Sequence, residues 1–171
     1  GTGNYSLTST DEVNIITTGT GSDTITFQGN AGDDLNIITD FTPGAGGDVI
    51  DFATNGAQDA IVALTTFNAS GTTNNNDGLV VVTATVAAGL TATVTQIDTV
   101  QDLEETSNGS AGDDLYVVWS DNTDSYIGFV TEVGGDSLDS GADTVTVIAT
   151  LQGINTAEVA TLTAANFADF L

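Results

Sequence analysis

The sequence predicts an all-β protein. A short parallel β-roll in residues 1–52 is expected to run into an antiparallel β-sandwich-like domain in residues 53–171, with one or two short helices. Three observations carry that prediction. Glycine (20 of 171 residues) is abundant alongside Thr, Val, Asn and Asp, while proline occurs once, a composition that favours strands joined by tight turns. Glycine–aspartate turns recur, each followed by a short apolar run. Apolar residues make up 40% of the chain and the mean hydropathy is +0.13, enough for a real core despite the charge.

Residues 1–17 alternate loosely through Tyr5, Leu7, Val13, Ile15 and Ile16. Stepping nine positions back from Asp23 and Ile25 reaches Asn14 and Ile16, a degenerate copy of the unit that follows. Thr18–Thr26 carries Gly19, Gly21, Asp23 and Ile25, and Gly29–Ile37 carries Gly29, Gly32 and Asp34. In the second unit the apolar Leu35 and Ile37 flank Asn36, which holds the position expected to be apolar. Strands are expected at Ile37–Phe41 and Val49–Phe52, on either side of a Pro43-Gly44 turn.

Beyond that point, Ala57–Leu64 reads equally as a short helix or a buried strand, and Asn74–Gly78 as a hairpin turn. Leu79–Val86 is the clearest strand, Leu90–Ile97 alternates as a second, and Asp98 or Thr99 is placed to cap a helical turn through Glu105. Gly109–Val117 repeats the earlier theme with Gly112 and Asp114. Strands follow at Leu115–Trp119, Ser125–Val130 and Thr144–Leu151, the last after an acidic loop with Asp136, Asp139 and Asp143. Thr163 is placed to cap a final short helix.

Charge narrows the function. The chain has no Lys, Arg or His and 24 acidic residues, for a formal net charge of −24. No side-chain salt bridge can form, and self-repulsion on this scale opposes compaction. Bound divalent cations are the simplest remedy; generic surface acidity for solubility is the competing reading. Nucleic acid and anionic membranes are excluded as partners for want of positive side chains. Without Cys or His there is no thiolate zinc site, no thiol nucleophile and no Ser–His triad. Neighbouring carboxylates such as Asp33 and Asp34 lie in turns without an aromatic sugar cleft, so no enzymatic activity is expected. No apolar run approaches the ~18 residues that span a bilayer, so membrane insertion is not expected, and no amino-terminal signal peptide is visible.

The nine-residue pattern Gly-Gly-x-Gly-x-Asp-x-apolar-x builds a parallel β-roll, six residues turning and three forming a strand. Its glycines let carbonyl oxygens close around an ion, and calcium takes roughly six to eight oxygen ligands. On these residues the chain resembles the repeats-in-toxin (RTX) family of calcium-binding proteins exported by type I secretion. Ile38–Gly44 leading to Gly47–Phe52 resembles the segment that closes such rolls, and Leu162–Leu171 resembles an uncleaved carboxy-terminal export signal.

The resemblance implies calcium ligands at Asp23 and Asp34, with carbonyls near Gly19, Gly21, Gly29 and Gly32. In the family, paired turns lie about eighteen residues apart. Here Asp34 would pair with the Asn14 turn, and Asp23 with Asp48 or with a turn upstream. Further sites are conceivable at Gly112/Asp114 and at Asp136, Asp139 and Asp143, where solvated turns are an equal reading. The implied role is a calcium-dependent extracellular structural module of a surface layer, matrix fibre or adhesin, self-associating into a homo-oligomer, fibre or lattice and meeting type I secretion machinery during export. The alternative is the carboxy-terminal folding and export domain of a larger secreted enzyme such as a protease or lipase.

Overall fold

The computed structural model describes residues 1–9, 12–28, 35–54, 79–101, 115–131 and 143–168. The expected features at Ala57–Leu64 and Asn74–Gly78 lie outside these residues. Ten strands are described: β1 (Ser6–Thr8), β2 (Ile15–Ile16), β3 (Thr24–Gln28), β4 (Asn36–Ile38), β5 (Val49–Thr54), β6 (Leu79–Thr85), β7 (Leu115–Ser120), β8 (Ser125–Thr131), β9 (Thr144–Leu151) and β10 (Phe167–Ala168). Two helices accompany them, α1 (Val94–Gln101) and α2 (Thr156–Val159), with single 3-10 turns at Gly89–Thr91 and Ala164–Asn166. The protein is mostly β, as expected.

The strands form two sheets, ordered β1-β3-β5-β10 and β2-β4-β9-β8-β7-β6. All pairings in the first sheet are parallel. In the second, β2–β4, β4–β9 and β6–β7 are parallel, while β7–β8 and β8–β9 are antiparallel. The first five strands alternate between the sheets, so each circuit of the chain adds one strand to each. After a long excursion through β6, β7 and β8 the chain returns, and β9 and β10 pair with β4 and β5. Hydrogen-bonded sheet therefore runs across the boundary expected at residue 52, and among the described strands only β7–β8–β9 has the antiparallel pairing expected of the later region.

Strand alternation sets the core. Leu7, Ile25, Ile50 and Phe167 are register partners along the first sheet, and Ile16, Ile38 and Leu151 along the second. Apart from the half-buried Leu7, these residues join Phe27, Phe52, Tyr116, Ile127 and Phe129 in the main core. The Phe52 ring stacks on Tyr116 at 4.0 Å and meets Phe27 edge-on at 5.9 Å. A second core lies on the other face of β6–β8, where Val80, Val82, Val117, Trp119 and Val130 pack with Val94 and Ile97 of α1. Burial on both faces explains why Leu79–Val82 reads as an unbroken apolar run.

Two expectations are corrected. Leu90–Ile97 is not a strand: it holds a 3-10 turn and the start of α1. The Thr93 hydroxyl accepts the Gln96 N–H, and the Gln96 side chain accepts the Thr93 N–H, a reciprocal cap that starts a helix. Val94 and Ile97 then fall on one buried face while Thr95, Thr99 and Val100 are exposed. Asp98 and Thr99 accordingly sit inside α1 rather than before it. The strand expected at Ile37–Phe41 is β4, which spans Asn36–Ile38 and gives way to a turn at Asp40. The helical turn expected after Thr163 is present at Ala164–Asn166, whereas α2, capped by Asn155, had no counterpart in the expectation.

Candidate cation site at the stacked turns

The turns that lead into the first sheet stack on one another. Gly19 and Gly21 have φ of +98° and +143°, and an added Cβ would come within 2.5 Å of the Gly1 carbonyl oxygen and 2.6 Å of the Gly3 oxygen. Only glycine permits both that backbone and that approach. The Gly1-Thr2-Gly3 turn therefore lies directly on Gly19-Thr20-Gly21, tied by Thr20 N–H to Gly1 O at 3.0 Å and Ser22 N–H to Asn4 Oδ1 at 3.1 Å. Sequence reasoning missed this turn because Tyr5 stands where the repeat has aspartate. The available signal was Gly-Thr-Gly occurring twice, at residues 1–3 and 19–21.

Four residues occupy the position immediately before a strand of this sheet: Tyr5, Asp23, Asp48 and Asn166. Each of the last three reaches back to its predecessor. Asp23 Oδ1 accepts the Tyr5 N–H at 2.7 Å, Asp48 Oδ1 accepts the Asp23 N–H at 2.9 Å, and Asn166 Nδ2 donates to Asp48 O at 2.9 Å. The Asp48 turn and the Gly1–Tyr5 turn thus lie on either side of Asp23. Asp23, Asp48 and Asn166 are all 0% exposed. Asp48 Oδ2 accepts the Thr42 N–H at 2.8 Å, but Asp23 Oδ2 is buried with no hydrogen-bond partner. A buried carboxylate oxygen without a partner is costly. Burial holds the Asp48 carboxyl above the usual carboxylate range; hydrogen bonds from Asp23 and Thr42 oppose the rise, and the Asp23 and Asp40 charges add to it.

The opposite turn is built differently. Asp40 Oδ1 accepts the Thr18 N–H at 2.8 Å and Oδ2 the Gly19 N–H at 2.8 Å, with the Thr18 hydroxyl at 3.1 Å. Desolvation pushes the Asp40 carboxyl upward, but these donors outweigh it and its pKa lies below the ordinary value. The sequence reading overlooked Asp40, which precedes no glycine repeat. Asn14 Nδ2 donates to Asn36 Oδ1 at 3.0 Å, so the misfit Asn36 occupies a buried position as part of an amide ladder.

Asp143 is buried immediately before β9. Gly29, Gly32, Asp34, Gly112, Asp114, Asp136 and Asp139 lie outside the described residues. Among the described residues no three carboxylates come together as a metal-holding group, so a cation here would be held by one carboxylate and by carbonyls. The Asp23 Oδ2 atom and the carbonyls of Gly3, Gly19 and Gly21, which accept no hydrogen bond among the described residues, are hard oxygen donors of the kind calcium takes. No described helix is long and apolar enough to cross a membrane. The chain matches no family model, no curated protein and no solved structure.

Proposed function

We propose that the protein is a calcium-dependent extracellular structural module, non-enzymatic, that self-associates, with its stacked turns read as an RTX-type β-roll. The observation that carries the proposal is Asp23: a fully buried carboxylate with a partnerless oxygen, in a chain without one cationic side chain. Burying such a charge is costly without a counter-ion, and no side chain of this chain supplies one. Supporting it are the Gly1–Tyr5 and Gly19–Asp23 turns, stacked at the separation that the RTX pattern requires. Asp23 and the glycine carbonyls would hold the ion, which would neutralise the acidic turns and order the roll outside the cell. Type I export and assembly into a fibre or lattice belong to the same reading.

The test is calcium removal. Complete chelation is expected to lower the thermal midpoint, shift the β signal in circular dichroism and disperse any assembly seen by sedimentation. A fold and an association state that are the same in chelator and in millimolar calcium would sink the proposal.

A further inference from the structure

The two junctions of the turn column differ in a way that the glycine–aspartate pattern does not suggest. At the Gly1–Tyr5/Gly19–Asp23 junction several oxygens are open. At the next one, the Thr42–Asp48 turn has both of its carboxylate oxygens and several of its carbonyls taken. Both Asp48 carboxylate oxygens accept backbone N–H groups, Thr42 O accepts Asp48 N–H at 2.8 Å, and Gly47 O accepts the Ser22 hydroxyl at 2.7 Å.

Asn166 holds two more carbonyls of this turn, one of which, Gly44 O, also accepts the Gly47 N–H at 3.0 Å. Its Nδ2 donates to Gly44 O at 3.0 Å and Asp48 O at 2.9 Å. Its Oδ1 accepts Gly44 N–H at 3.1 Å and Thr163 N–H at 3.0 Å. An amide NH2 carries partial positive charge and two donors, and this one is aimed at two carbonyl oxygens where a cation would otherwise be drawn.

We propose that Asn166 is an internal stand-in for a cation: carried back by the 3-10 turn before β10, it locks the Thr42–Asp48 turn, which takes no ion and keeps its order without one. Of the two aspartates that the sequence makes equivalent, Asp23 is then a ligand and Asp48 a hydrogen-bonding strap. The inference rests on the calcium reading for Asp23 alone.

The test compares Asp23→Asn, Asp48→Asn, Asn166→Ala and Asn166→Asp by calcium titration calorimetry and by thermal melts in EDTA and in calcium. Asp23→Asn is expected to lose one calcium equivalent; Asp48→Asn and Asn166→Ala lose none, and Asn166→Ala melts lower by the same amount in both buffers. Asn166→Asp places a carboxylate against two carbonyls, so it is expected to melt early in EDTA, recover in calcium and gain one equivalent. Loss of an equivalent in Asp48→Asn or Asn166→Ala overturns the inference, as does an Asn166→Asp that gains none. Should Asp48→Asn fail to fold, the two Asn166 variants still decide. Wild-type protein that takes up no calcium defeats the functional reading instead, while the gain in Asn166→Asp still tests the stand-in.

Discussion

In the coils formed by β1–β5, strands are two to six residues long and turn one face to the interior. In β7–β9 they run six to eight residues, and β7 and β8 contribute to cores on both faces. A coil with one or two inward apolar side chains per strand buries too little apolar surface to fix its own spacing. Side chains reaching from one coil to the backbone of the last supply the rest: Asp23 to Tyr5, Asp48 to Asp23, Asp40 to Thr18 and Gly19. The antiparallel strands need few such straps, because Trp119, Tyr116 and Ile127 are almost wholly buried among them. Where strands are short, polar ladders set the structure; where they are long, packing does.

Three substitutions probe that contrast. Trp119→Ala removes a side chain that is 0% exposed, lies over Gly128 and donates its indole N–H to Gly89 O at 2.9 Å. The expected loss is about 3–5 kcal/mol in denaturant unfolding, and a loss below about 1 kcal/mol would contradict a packing-dominated region. Asp40→Asn leaves one of the N–H groups at Thr18 and Gly19 facing another donor, and is expected to cost about 1 kcal/mol near neutral pH once solvent screening is allowed for.

The pH dependence of that cost has a definite sign. Because the folded-state pKa of Asp40 is depressed, its contribution is complete above the unfolded value of about 3.9 and is lost as pH falls through the folded value. Melting curves of wild type and Asp40→Asn should converge in acid, and a gap that persists at the lowest pH would show that the carboxylate charge is not what holds the turn. The smallest effect is expected at Ile15, which is 74% exposed on the edge strand β2. Ile15→Thr should change stability by less than about 0.5 kcal/mol; a larger loss would mean that apolar contact supports the coils after all.

Much of this was legible in the chain. Glycine–aspartate turns followed by short apolar runs announced strands of limited length, and Ile25 and Ile50 sit inward where that pattern puts them. The alternation of Leu90–Ile97 misled because Val94 and Ile97 satisfy a helical face equally well once Thr93 and Gln96 cap each other. Asn36 looked like a flaw in the repeat and proved to be one rung of an amide ladder with Asn14.

The sequence by itself determined the β character, the absence of any cationic side chain and the close turns at Gly19 and Gly21, since these follow from residue chemistry and local backbone sterics. Only the tertiary structure decided that β9 and β10 return to β4 and β5, and that Tyr5 and Asn166 join the column containing Asp23 and Asp48. Those pairings join residues far apart in the chain, and the free energy that selects them comes from stacking one coil on another, a term no local pattern contains.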